Sequence, residues 1–135
     1  MAEGKVNFEL VSPERLLAST AVDMVVVPGA EGDFGVLPGH APFISALRAG
    51  VIDVHDGGKV TDRIFVADGF AEVTTERCTV LAGEAVPLDR IDRAQVEKRV
   101  AEAELDVRDA ANDQERARAE RALDIARALL SHARA

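Results

Sequence analysis

The chain has 135 residues, a formal net charge of -8 and a hydrophobic fraction of 47%. So acidic a balance argues against nucleic acid and anionic lipid as surfaces it binds directly, because both call for clustered Lys and Arg. With five Phe and no Trp or Tyr, a core must be built mainly from aliphatic side chains.

From the N-terminus, Met1-Ala2-Glu3-Gly4-Lys5 lacks the charged-then-apolar pattern of a signal peptide. Val6, Phe8 and Leu10 alternate with Asn7 and Glu9, the period of a half-buried strand. Ser12-Pro13-Glu14 reads as a turn. Leu16-Leu17-Ala18 and Ala21–Val27 read as strands, the second dense in β-branched residues and stopped by Pro28-Gly29. Val51–His55 and Lys59–Val66 flank Asp56-Gly57-Gly58, a hairpin signal. Phe70–Thr74 and Cys78–Leu81 flank Thr75-Glu76-Arg77, and Ala85-Val86 adds a last strand. Roughly eight to ten short strands with frequent turns predict a sandwich or flattened barrel.

The composition breaks near Pro87. Every Gly, Pro and Phe lies at or before it, and the remainder is dominated by Ala, Leu, Val and charge. Val96, Val100, Ala103 and Val107 form one helical stripe. Ala119, Ala122, Ala126, Leu129 and Ala133 form another, with Leu123 and Leu130 beside them. Asp89 or Asp92 caps the first helix, Gln95 completing a capping box with Asp92, and Asn112-Asp113 opens the second. So short a link folds the pair back antiparallel. The predicted class is α+β: a β-sandwich over residues 1–88, then a helical hairpin over 89–135. Ala-rich stripes bury little area, so docking of the hairpin is expected to be marginal and exchangeable.

Cys78 is the only cysteine. It cannot form an internal disulfide, which suits a reducing compartment, and its strand context predicts a buried small hydrophobe. No run approaches the ~18 apolar residues of a membrane span. His40, His55 and His132 are scattered and match no metal-ligand spacing. No serine lies in a nucleophile elbow, and neither Gly-rich stretch is a phosphate loop. No metal site, no cofactor and no catalytic constellation is expected.

One stretch stands out. Gly29–Phe43 contains four glycines and two prolines with apolar residues between them. Glycine allows positive φ and close backbone approach, and proline fixes φ, so the segment has a defined shape. The residues alone leave two readings open for Glu31–Phe43: a rigid connection between strands, or a recognition loop.

Gly29-Ala30-Glu31-Gly32-Asp33-Phe34-Gly35 leading into Pro38-Gly39-His40-Ala41-Pro42 resembles the signature of the epsilon subunit of bacterial F-type ATP synthase. The resemblance extends to Val25-Val26-Val27, to Ala49-Gly50-Val51-Ile52-Asp53-Val54 and to Ala67-Asp68-Gly69-Phe70-Ala71-Glu72-Val73, and a helical tail comes after them, as in that family. It implies a non-catalytic stalk component that joins the gamma subunit to the ring of c subunits. Membrane association then comes only through partner subunits, at the cytoplasmic face of the bacterial inner membrane. It further implies that Glu31, Asp33, Phe34 and His40 face the rotor ring and central stalk, with Gly32, Gly35, Pro38, Gly39 and Pro42 shaping the loop. The helices in that family either lie folded or extend toward the catalytic alpha and beta subunits and restrain hydrolysis. Arg116, Arg118, Arg121 and Arg127 are the matching candidates for acidic partner surface. Some members bind ATP through [Ile/Leu]-Asp-x-x-Arg-Ala. Here Leu88-Asp89-Arg90-Ile91-Asp92-Arg93-Ala94 has one residue too many, about 100° of helical rotation, so Asp89 and Arg93 are not expected to face one ligand. The alternative function is a free-standing ATP-sensing regulatory module.

Overall fold

A computed structural model describes residues 4–133; residues 1–3, part of the segment read for a targeting pattern, lie outside it, as do 134–135. The chain divides into two compact units, the break falling between Pro87 and Leu88. The first unit is a β-sandwich of eight strands: β1 Val6–Val11, β2 Leu16–Val22, β3 Met24–Gly29, β4 Gly32–Val36, β5 Phe43–Ala46, β6 Gly50–Asp56, β7 Lys59–Val73 and β8 Arg77–Pro87. Their order is β2-β1-β8-β7-β6-β3-β4, with β5 also paired to β7. All pairs are antiparallel except β1 with β8.

Alternation builds the interior. Val6, Phe8 and Leu10 of β1 point inward and are at most 1% exposed, as the period of two requires. They meet Val25, Val27, Val36, Ile52, Val54, Val73 and Val80 in one aliphatic cluster. Cys78 sits within it, wholly buried, and burial pushes its thiol up to about 12, so it packs as a small hydrophobe.

Several boundaries differ from those read in the sequence. The strand expected over Ala21–Val27 is two, because the chain turns at Asp23 between β2 and β3. The strands expected at 59–66 and 70–74 are one, β7, which passes through Asp68 at φ 65°. At that residue β7 exchanges partners: β6 pairs with it up to Val66, and β5 from Phe70. β8 likewise runs unbroken where two short strands were expected. β4 and β5 were not anticipated as strands at all.

The second unit holds two helices, α1 Arg93–Arg108 and α2 Asp113–Ser131, preceded by a 3-10 turn at Leu88–Arg90. Asp92 caps α1 by accepting from the Gln95 N–H at 3.3 Å, and Asn112 caps α2 by accepting from the Glu115 N–H at 2.8 Å. Buried positions are Val96 and Ala103 on α1, and Leu123, Ala126 and Leu129 on α2. Ala122 is exposed, so the apolar face of α2 is turned toward Leu123. Arg108 binds the adjacent Asp109 at 3.1 Å, and Glu104 reaches across the hairpin to Arg127 at 3.3 Å.

One polar cluster closes an end of the sandwich. The Lys5 Nζ lies 2.7 Å from Asp23 and 2.6 Å from Asp56, and the Gly57 N–H donates to Asp23. The Lys5 bond, then that from Gly57, holds the Asp23 carboxyl below its ordinary value. A carboxylate whose pKa is lower folded than unfolded adds stability above the unfolded pKa, near 4, and loses it as pH falls through the folded one. Asp23→Asn is therefore expected to flatten the acid side of the stability–pH curve, measured by urea unfolding between pH 6 and 3. An unaltered slope would show that the cluster contributes nothing.

Candidate functional site

Part of the Glu31–Phe43 stretch, read from the sequence as a rigid connection or a recognition loop, is itself a strand, β4. β3 and β4 form a hairpin in which Pro28 faces Asp33 and Gly29 faces Gly32, leaving Ala30-Glu31 as a two-residue turn. β4 is the terminal strand of the sheet order. Only residues 37–42 form a loop. Its backbone is stitched down: the Gly39 N–H donates to the Thr75 carbonyl at 2.9 Å, and the His40 N–H to the Leu37 carbonyl at 3.1 Å.

Packing explains the glycines unevenly. A Cβ on Gly29 would lie 2.7 Å from the Gly32 carbonyl oxygen and 2.9 Å from the Phe34 ring, so the ring's position requires glycine. Gly32 and Gly39 have φ of 142° and 82°, the region that side chains avoid. Gly35 lies inside β4, where a Cβ would make only an ordinary 3.5 Å contact with the Met24 sulfur. Packing alone therefore does not require glycine at position 35. Pro38 and Pro42 are exposed on the loop.

Three rings meet beside the hairpin. Phe34 and Phe43 stand edge to face with centroids 4.8 Å apart, and His40 lies 5.2 Å from Phe43. The His40 Nδ1 bonds the Ala41 carbonyl at 2.7 Å, with Nδ1 the donor. Phe34 and His40 are half-buried, Glu31 and Asp33 exposed, and Leu37 is 54% exposed.

The hairpin is held from outside by the segment after β5. The Ala30 N–H donates to the Ala46 carbonyl at 2.8 Å, the Arg48 N–H donates to the Pro28 carbonyl at 3.0 Å, and Gly29 bridges Leu47. The Arg48 guanidinium donates to the Gly29 carbonyl at 2.7 Å and pairs with the Asp33 carboxylate. Asp33, expected to face the partners, is exposed but ion-paired within the chain. Neither Phe43 nor Arg48 was singled out from sequence. The available signal for Arg48 was that it is the one Lys or Arg between residues 16 and 58.

The remaining expected residues lie in the helical unit. Arg116, Arg118 and Arg121 are exposed on α2, and Arg118 lines an open groove with Asp106, Asp109 and Glu115. Arg127 is engaged by Glu104. Asp89 lies in the 3-10 turn and Arg93 begins α1, where it pairs with Glu97 at 3.6 Å. The rotation expected between Asp89 and Arg93 on one helix therefore does not apply. Among the described residues no group of three His, Cys, Asp or Glu is placed to hold a metal ion, and no helix is long and apolar enough to cross a membrane.

Comparison with known proteins matches both units. Residues 5–88 match the family described as ATP synthase, Delta/Epsilon chain, beta-sandwich domain. Residues 92–133 match the C-terminal domain of the ATP synthase epsilon chain. The ATP synthase epsilon chain of Paramagnetospirillum magneticum is 56% identical over 131 residues, covering 96% of both sequences. That of Rhodospirillum rubrum is 54% identical over 125 residues, covering 93% of both. A chain from the Euglena gracilis mitochondrial ATP synthase superposes with a TM-score of 0.79 at 28% identity, covering 97% of this protein and 82% of that one. A chain from the central stalk/c-ring structure of the Tetrahymena thermophila mitochondrial ATP synthase, 13% identical, shares the fold with a TM-score of 0.71, covering 97% and 98%. Sandwich, hairpin edge and helical tail together belong to one lineage: this chain is a member of the ATP synthase epsilon chain family.

Proposed function

We propose that the chain is a non-catalytic central-stalk subunit that couples a rotating ring of c subunits to the gamma subunit. Its contact edge comprises the β3–β4 hairpin and the loop over residues 37–42. The observation that carries this reading is the rigidity of an exposed edge. A two-residue turn, a ring cluster and an arginine clamp fix a surface that still presents Glu31 and Leu37 to solvent. Order of this kind removes the entropy cost of immobilising a loop on binding.

The physical role comes from stiffness. A joint that transmits torque must not yield under load, and an edge braced from two sides yields less than a free loop. Glu31 supplies charge, Leu37 an apolar anchor, and Phe34 and His40 the half-buried wall behind them. Pro38 and Pro42 hold the loop's entry and exit. Asp33 acts through its pair with Arg48. Membrane association comes through the partner subunits, at the cytoplasmic face of the bacterial inner membrane.

The helical unit is assigned the regulatory part. Its buried positions among the described residues are few, Val96, Ala103, Leu123, Ala126 and Leu129, so the area that holds it in any one arrangement is limited. Arg116, Arg118 and Arg121 offer cations to acidic surface on the catalytic subunits, and Arg127 can do so once released from Glu104.

Two outcomes check this reading. Replacing Phe34 and His40 by Ala is expected to weaken assembly onto a synthase stripped of this subunit by about tenfold to a hundredfold, the range of an interface hot spot. Equal affinity and equal proton-coupled synthesis would contradict it. Truncation after Leu88 is expected to leave assembly intact and raise ATP hydrolysis several-fold; unchanged hydrolysis would remove the regulatory assignment.

A further inference from the structure

We propose that Arg48 is the positioning residue of the contact edge: it sets the geometry that the partners read, without being the group they touch. The inference rests on the reading of the β3–β4 hairpin as a partner surface. What carries it is that one guanidinium spans both strands of that hairpin. It donates to the Gly29 carbonyl at the end of β3 and pairs with the Asp33 carboxylate on β4.

The placement matters because β4 is the terminal strand of the sheet order and pairs only with β3. Beyond that ladder, the turn is braced by the segment over residues 46–48. Two backbone hydrogen bonds from that segment end on Ala30 and Pro28, both on the near side of the turn or before it. The guanidinium provides the described polar link from this segment to β4 itself. It also bonds the Gly29 carbonyl, whose residue is buried and lies beneath the Phe34 ring. Charge-assisted bonds of this kind are stronger than neutral ones. No other Lys or Arg lies between residues 16 and 58, so the stretch that forms the edge has no substitute cation of its own.

Arginine is needed rather than positive charge alone. Its planar fork reaches two acceptors in different directions, whereas an ammonium is a point charge. Lysine at this position would keep one contact at the expense of the other. Asp33→Asn would weaken the pair on β4 and leave the bond to Gly29.

The test compares full-length Arg48→Ala, Arg48→Lys, Asp33→Asn and Phe34→Ala by amide hydrogen exchange and by assembly onto a synthase stripped of this subunit. Arg48→Ala is expected to speed exchange at residues 30–34 by about tenfold and to weaken assembly by about the same factor. Exchange in the β1, β6 and β8 amides should not change, which a general loss of stability would not allow. Arg48→Lys should recover only part of both effects, and Asp33→Asn should show a smaller version of each. Unchanged exchange at residues 30–34 in Arg48→Ala overturns the inference. So does normal assembly of Arg48→Ala while Phe34→Ala assembles poorly. Normal assembly of both variants would instead sink the partner-surface reading itself.

Discussion

The close approach of the Phe34 ring to the backbone of Gly29 determines the exposed edge of this protein. A side chain at Gly29 would meet that ring and the Gly32 carbonyl oxygen at under 3 Å. With glycine there the ring settles over the hairpin, Phe43 packs against it edge to face, and His40 is carried in beside Phe43. Offset or perpendicular ring pairs contribute about 0.5–1.5 kcal/mol beyond their burial. That is modest, but it acts at the rim of a sheet, where backbone pairing is one-sided. The aliphatic core fixes the sandwich; this contact fixes what the sandwich presents.

The same economy appears in β7. One strand serves two sets of neighbours, β6 along its first half and β5 along its last, with Asp68 at positive φ where the exchange occurs. The β5 pairing brings Phe43 into reach of Phe34 and places Ala46 and Arg48 against the β3–β4 turn. The proposed coupling through such a body needs no moving part within it, only a shape that holds.

Much of the architecture was legible in the sequence. Strict alternation over Val6–Leu10 gave β1, and Asp56-Gly57-Gly58 gave the β6–β7 hairpin. Asp92 with Gln95 marked the start of α1 and Asn112-Asp113 that of α2, because capping is a local interaction three residues long. What was hidden was short or non-local. β5 is four residues pressed between Pro42 and Leu47, too brief for a period to show. β4 is rich in glycine, so its pairing comes from the hairpin partner rather than from propensity. The Arg48 clamp joins residues 15 and 19 positions apart, and no local pattern encodes it. The shape of the Gly29–Phe43 stretch could be sensed, but not which of its residues are braced and which are offered.

The most direct measurement is hydroxyl-radical footprinting of the free protein against the same protein assembled in its synthase. If a braced edge is what neighbouring subunits grip, Phe34, Leu37 and His40 will lose most of their reactivity on assembly, while Val60, exposed at the β6–β7 hairpin, will keep its own. Equal reactivity of Phe34, Leu37 and His40 in both states would contradict the account.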